Sequence, residues 1–259
     1  MKQIQATVMS NAEVASGIRL LQLWAPEVAA SAEPGQFVHV RCSKSLDPLL
    51  RRPFSLHRIG RSAVSEMPKR GISLLFQVVG RGTSQLADLE PDDSVDVLGP
   101  LGRGFTLRAS TRRLLLVAGG LGIAPLVAAA DAAIERDVAV TALAGARTAN
   151  RLLPARFLPP EVEYVVATED GSAGRRGLVT DLVGNYLDWA DQVLVCGPGP
   201  MLPAIAAVTS QSSALVQVSL EERMACGLGA CLGCVVETRS GPQRVCRDGP
   251  VFALGELKL

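Results

Sequence analysis

Four of the chain's six cysteines fall in its last thirty-four residues, at the spacing Cys226-x4-Cys231-x2-Cys234-x11-Cys246. A tail this short cannot bury enough apolar surface to hold itself, so it must fold around something that its thiols bind. The C-x4-C-x2-C…C pattern is the ligation spacing of plant-type [2Fe–2S] clusters. Gly227, Gly229 and Gly233 let the backbone curl and aim amide N–H groups at sulfur, which stabilises an anionic core. Structural zinc is the rival reading; zinc ribbons pair two C-x2-C knuckles, and this tail has one. Cys42 and Cys196 stand apart and are not needed as ligands, Cys42 reading as a small strand residue.

The rest of the composition is ordinary. The chain has 259 residues, a formal net charge of +1 and 48% hydrophobic residues, room for two compact domains and a small appendage. That charge balance points away from a nucleic-acid surface. Apolar stretches such as Leu114–Gly120 and Ile123–Ala130 stop well short of the ~20 residues of a membrane span. The start, MKQIQATVMS, lacks an apolar signal region. A cytoplasmic location follows as the expectation, where structural disulfides are rare and clustered cysteines read as metal ligands.

Residues 1–108 read as an antiparallel β-barrel or sandwich. Short apolar runs (Ile4–Met9, Ile18–Trp24, Gln36–Arg41, Ile72–Val79, Ser94–Leu98) alternate with Pro, Gly, Ser and Asp. Arg58–Gly71 is expected to be a long hairpin loop, and Thr83–Leu89 a short helix capped by Thr83 or Ser84. Residues 109–212 change pattern: Leu114–Ala118 is a continuous apolar run, as in a parallel strand buried on both faces. A glycine-rich turn, a helix over Pro125–Glu135 and strands over Val138–Ala144, Glu163–Thr168 and Gln192–Cys196 complete a parallel-sheet α/β domain. Residues 213–259 form the small C-terminal cluster domain, with β-like pieces at Leu215–Leu220, Cys234–Thr238 and Arg244–Cys246.

Four short motifs are ambiguous one at a time. Arg52-Pro53-Phe54-Ser55 offers a guanidinium for pyrophosphate, a ring for an isoalloxazine and a hydroxyl, but equally suits a proline-started edge strand. Gly80-Arg81-Gly82-Thr83 either presents N–H groups to phosphate or is a plain capped turn. Gly119-Gly120-Leu121-Gly122-Ile123-Ala124-Pro125 follows a buried strand and opens a helix, where a dinucleotide binds in an open α/β sheet, without being G-x-G-x-x-G. Cys196-Gly197-Pro198 ends another apolar strand at the same edge.

Taken in order, these motifs resemble the ferredoxin–NADP reductase superfamily, which joins an FAD-binding barrel carrying R-x-[YF]-S to a nucleotide domain carrying G-G-x-G-[IT]-x-P and C-G-P. Leu143–Arg147 and Thr168–Ser172 are similar to that superfamily's later nucleotide loops. The string from Ser219 to Cys234, with Val245-Cys246-Arg247-Asp248-Gly249-Pro250, resembles the electron-transfer subunits of NAD-dependent class 1B dihydroorotate dehydrogenases. A related reductase group, the small subunit of NADH-dependent ferredoxin:NADP oxidoreductase, has Asp in place of the first cysteine; Cys226 favours the dihydroorotate system. Phe76-Gln77 departs from an expected aromatic–Arg pair, which shifts the FAD phosphate load onto Arg52 and Arg81.

The resemblance implies three cofactors: FAD, a [2Fe–2S] cluster and NAD. It implies that Arg52, Pro53, Phe54 and Ser55, with Leu75, Phe76, Gln77, Gly82 and Thr83, hold FAD. Gly120, Gly122 and Pro125 would shape the nucleotide turn, with Cys196 beside the nicotinamide, and Cys226, Cys231, Cys234 and Cys246 would hold the cluster. The implied partner is an FMN-containing dihydroorotate dehydrogenase catalytic subunit, two copies of each chain assembling. A related ferredoxin-, sulfite- or hydrogenase-type reductase subunit is the alternative. No general acid or base is assigned, because hydride transfer needs none. His57, after the flavin motif, reads as a strand or surface histidine rather than a cofactor contact. Arg147 and Arg151 could meet a 2′-phosphate, so the choice of NAD over NADP rests on resemblance.

Overall fold

The computed structural model describes residues 1–43, 45–61 and 69–259. Six strands close an antiparallel barrel: β1 (Lys2–Ala15), β2 (Ile18–Trp24), β3 (Phe37–Val40), β4 (Arg52–Ile59), β5 (Gly71–Gln77) and β6 (Ser94–Leu101), in the order β1-β2-β5-β4-β3-β6. Period-two alternation turns Leu21, Leu23, Val38, Val40, Leu56, Ile72, Leu74 and Phe76 into one core. Closure removes free edges, so the strand carrying Arg52–Ser55 is not an edge strand but lies between β3 and β5. The expected loop begins later than Arg58, since Arg58 and Ile59 continue β4; half of it, residues 62–68, lies outside the described residues.

Helix α1 (Pro26–Ala29) and helix α2 (Arg81–Ala87) flank the barrel. The latter starts two residues before the expected Thr83. Thr83 is inside it at the third position, and its Oγ1 reaches back to accept the amides of Val79 (2.9 Å) and Gly80 (3.1 Å), the N3 half of a capping box. Cys42 lies beyond the end of β3, buried against Gly82, rather than within a strand.

A seven-stranded sheet follows. Strands β7 (Arg113–Gly119), β8 (Ala139–Ala146), β9 (Glu163–Thr168), β10 (Arg175–Arg176), β11 (Gln192–Cys196) and β12 (Leu215–Ser219) are parallel. The chain then leaves the sheet, forms a hairpin of β13 (Val235–Thr238) and β14 (Gly241–Arg244), and returns as β15 (Val251–Ala253), antiparallel to β12. The order is β10-β9-β8-β7-β11-β12-β15, so successive strands leave β7 in opposite directions and open a crevice at the carboxyl ends of β7 and β11. Helix α3 (Ile123–Ile134) packs with Leu114, Leu116 and Leu194 on one face of the sheet. Helix α4 (Thr180–Val183) and helix α5 (Leu202–Thr209) cover Leu115, Val117 and Val195 on the other.

The sheet does not stop at residue 212. Leu215–Ser219 and Val251–Ala253 pair into it because their alternating apolar residues find ladder partners there, and the expected strand over Arg244–Cys246 ends at Arg244. The excursion between them is held by a core shared with the barrel, in which Phe37 and Leu101 pack with Cys234, Val245, Cys246, Phe252 and Leu257. A tail too small for its own core thus borrows one.

Barrel and sheet meet at a strand irregularity. Register slips between Leu56 and Arg58, and the last four residues of β4 are all buried. His57 Nδ1 donates to the carbonyl of Ala124 on α3 at 3.3 Å. Beside it Arg58 reaches Asp131 (3.6 Å) and the carbonyl of Phe157 (3.1 Å). The last turn of the strand that begins with Arg52 therefore ties the barrel to the nucleotide helix.

Candidate functional site

The first third of the site runs along β3, β4 and β5. Phe54 is half-buried and its ring stands 5.7 Å from that of Phe76 at 59°. Phe76 points into the barrel core and Leu75 into the core shared with α3, so both side chains are spent on packing and only their backbone faces outward. Arg52 Nη1 donates to the carbonyl of Leu50 at 2.6 Å, and its neighbour Arg51 is fixed by Asp96 at 2.8 Å. Arg81 pairs with Asp47 at 2.5 Å, both well exposed. Arg52 holds nearby carbonyls and Arg81 an exposed carboxylate, whereas Arg51 is tied to the mostly buried Asp96.

The second third is a cleft of about 810 Å³ between the barrel and the carboxyl edge of the sheet, within the range of small-molecule sites. Ile18 and Gln77 line it from the barrel, Gly119 and Gly120 from the end of β7, and Pro198 and Met201 from the turn after β11. Gly120 has φ +55 and open space where a side chain would stand, so backbone is presented to the cleft. Gly122 is pressed against the carbonyl of Cys196, leaving no room for a Cβ. Pro125 lies buried inside the first turn of α3, where a missing N–H costs nothing. Cys196 is buried with its Sγ 3.9 Å from Glu221 Oε1. Burial, then the Glu221 charge, pushes the Cys196 thiol far up, so it stays protonated. Arg147, Arg151, Glu169 and Thr180 close the far wall.

The last third is the cysteine loop. The amides of Leu228 (3.3 Å) and Cys231 (3.5 Å) point at Cys226 Sγ, and the amide of Cys246 at Cys234 Sγ (3.4 Å). Burial opposes ionisation of Cys226, but the amides of Leu228 and Cys231, then the Cys231 thiol and the Ala230 amide, outweigh it and bring the thiol to about 6. Burial, then the adjacent Cys234 thiol, pushes Cys246 up to about 12. The Cys231 thiol bonds that of Cys226 and the Cys234 thiol that of Cys246, while among the described residues no three such side chains converge on one point. Arg244 spans the loop, bonding Asp248 at 3.0 Å and the carbonyl of Gly229 at 3.3 Å. Four thiols, inward amides and left-handed Gly227 and Gly229 fit a cluster that needs thiolate ligands and N–H donors.

His39 was not assigned a site role from sequence. It pairs with Pro53 across β3 and β4, is fully buried, and neither ring nitrogen has a hydrogen-bond partner among the described residues. Burial, then the charges of Arg51 and Arg52, lowers it to about 4, so the ring is neutral.

Comparison with known proteins matches this geometry. Residues 221–258 fit the model of the iron–sulfur cluster binding domain of dihydroorotate dehydrogenase B. The chain is 42% identical, over 97% of its length and 96% of the relative's, to the dihydroorotate dehydrogenase B (NAD(+)) electron transfer subunit of Desulforamulus reducens. It is 41% identical, over the whole of both chains, to that of a Geobacillus species. The chain belongs to the dihydroorotate dehydrogenase B electron-transfer subunit family. A solved NADH-dependent reduced ferredoxin–NADP oxidoreductase, 27% identical, superposes with a TM-score of 0.84 over 98% of this chain and 90% of its own. A ferredoxin NADP+ reductase from Neisseria gonorrhoeae, 15% identical with a TM-score of 0.65, shares the fold over 82% of this chain and 92% of its own.

For a member of this family, the expected fold of barrel, parallel sheet and C-terminal cluster region holds, as does the oxidoreductase assignment. Membership also settles the rivalry between iron–sulfur and zinc, since the matching model is an iron–sulfur one. An electron transfer subunit implies a catalytic partner. Among the described residues no helix is long and apolar enough to cross a membrane. Sequence reasoning passed over Glu221 and Thr180 as cleft residues; a Glu directly before the cysteine string was the available signal for the first, and the second had none.

Proposed function

We propose that this chain carries electrons from a dihydroorotate-oxidising, FMN-containing subunit, through a [2Fe–2S] cluster and FAD, to NAD, in an assembly with two copies of each chain. The observation that carries it is the position of β3. Phe37 shares a core with Cys234 and Cys246, and on the same strand pairs with Ser55 of the flavin motif. The cluster loop and the flavin groove are therefore one strand apart. When bound, the three groups supply single-electron transfer, conversion between one and two electrons, and hydride acceptance.

The chain's own residues divide that work. Arg52 and Arg81 meet the FAD pyrophosphate as charge-assisted donors, with Gly82 and Thr83 at the adjoining turn. Phe54 lies against the isoalloxazine, backed by Phe76, while Ser55 and the backbone of Pro53, Leu75 and Gln77 orient the ring. Gly120 lets the nucleotide phosphates approach backbone, Gly122 lets that turn seat on the Cys196 carbonyl, and Pro125 sets the start of α3 behind them. Cys196, buried and protonated, backs the turn that carries Pro198 at the nicotinamide end of the cleft and adds no charge there. Arg147 and Arg151 face the ribose end with Glu169 between opposing preferences; a 2′-hydroxyl suits that carboxylate better than a 2′-phosphate. Cytoplasmic residence agrees with free thiols at the cluster.

The test is an anaerobic spectrum and cofactor count of the purified chain. One FAD, two irons and two acid-labile sulfides per chain, bleached by NADH, support the proposal. Zinc without sulfide, or no flavin, contradicts it.

A further inference from the structure

Two side chains of β3, Phe37 and His39, stand between the cluster loop and the flavin strand. On β3, Val38 and Val40 face the barrel core while Phe37 and His39 face the tail. The His39 ring meets that of Phe37 edge-on, with centroids 6.0 Å apart at 71°. Its Nδ1–Cε1 edge lies against Gly227: a Cβ on that glycine would fall 2.7 Å from Nδ1 and 2.8 Å from Cε1. Gly227 takes φ +69 and follows Cys226 directly. Nδ1 and Nε2 are both buried and both lack a hydrogen-bond partner among the described residues.

Buried ring nitrogens are nearly always satisfied. A neutral imidazole has one N–H and one lone pair, so this ring needs an acceptor that the polypeptide alone does not offer. Arg51 and Arg52 are donors only and cannot supply it. The loop one residue from Cys226 is built to hold an anionic group whose sulfur atoms accept N–H bonds, and such bonds raise the potential of an iron–sulfur cluster.

We propose that His39 is a positioning residue of the electron path, donating an N–H to the sulfur shell of the cluster from the strand that also carries the flavin groove, and so raising the cluster's reduction potential. The proposal rests on the cluster reading above. It also gives Gly227 a reason: any side chain there would displace the imidazole.

The holoprotein carries the test. In an anaerobic redox titration followed by electron paramagnetic resonance, His39→Leu should shift the cluster's reduction equilibrium at least tenfold toward the oxidised form, 59 mV for one electron. The FAD midpoint and iron content should stay at wild-type values, and His39→Gln, which keeps an N–H, should recover most of the shift. A His39→Leu cluster midpoint within threefold of wild type overturns the proposal, as does a shift confined to FAD. The chain has two histidines, His39 and His57, so a second measurement does not depend on the leucine variant folding. With 15N-histidine labelling, pulsed resonance of the reduced cluster should show a nitrogen coupling that survives His57→Gln and disappears in His39→Gln. A normal cluster signal lacking that coupling overturns the role of His39 alone; no cluster signal in the wild type overturns the cluster reading with it.

Discussion

Gly122 is packed directly on the carbonyl of Cys196, so the turn that opens α3 and the turn that ends β11 form a single surface. Gly119 and Gly197 lie in the same contact, with Pro198 and Met201 filling what is left. A Cβ at residue 122 has backbone, not a flexible side-chain tip, to displace. Gly122→Ala should cost about 1–3 kcal/mol, the usual range for overpacking. It should weaken NADH binding at least tenfold while leaving FAD and iron content intact, as titration calorimetry and metal analysis would register.

Arg52 and Arg51 are neighbours with different fates. Arg51 is committed to Asp96, whereas Arg52, among the described residues, bonds the nearby carbonyls of Leu50 and Arg51. Arg52→Ala should therefore release FAD, weakening it by about 10- to 100-fold if a charge-assisted bond worth about 1.5–3 kcal/mol is lost. Arg51→Ala should lower thermal stability with less effect on flavin affinity. Fluorescence of released flavin on dilution separates the two; equal release from both variants would deny the distinction.

The joint between barrel and nucleotide domain makes stability depend on pH. His57 titrates near 6.5 in the unfolded chain and at about 3 when folded, because burial, then Arg58, disfavours the cation. The unfolded state therefore takes up the proton first. The stability from the neutral ring is whole above pH 6.5 and falls as pH drops from there toward 3, by about 1.4 kcal/mol per pH unit. His57→Gln should lose about 2 kcal/mol less than wild type between pH 7 and 5. Urea denaturation at the two pH values measures it.

Much of this was legible in residue patterns. The continuous apolar run Leu114–Ala118 could only be a strand covered on both faces, and Glu163–Thr168 and Gln192–Cys196 are strands with the expected ends. Cysteine spacing located the cluster loop because ligation depends on local geometry. What stayed hidden depends on long-range pairing. Arg52–Ser55 resembles an edge strand until barrel closure gives it two neighbours. Leu215–Ser219 looks like part of the tail because nothing local says that its ladder partner is Gln192–Cys196. His39 reads as an ordinary strand residue, and its significance comes from Gly227, far away in sequence.

The cluster loop is held by Arg244 as well as by its thiols. Asp248 is kept below the usual carboxylate range by the Arg244 amide, then its guanidinium, so the clamp is intact at neutral pH and is lost as pH falls through the depressed value. Asp248→Asn should accelerate loss of iron to a chelator several-fold at pH 7 without changing FAD content. Cluster absorbance over time with a ferrous chelator reads it out.

The electron route itself is tested most directly in the assembled complex. Co-expressed with an FMN-containing dihydroorotate-oxidising subunit, the wild-type chain should support dihydroorotate-dependent reduction of NAD. Cys226→Ser should abolish that reaction while keeping FAD and NADH-driven flavin bleaching. NADH formation undiminished in Cys226→Ser, or none with the wild-type complex fully loaded, would contradict a path through the cluster.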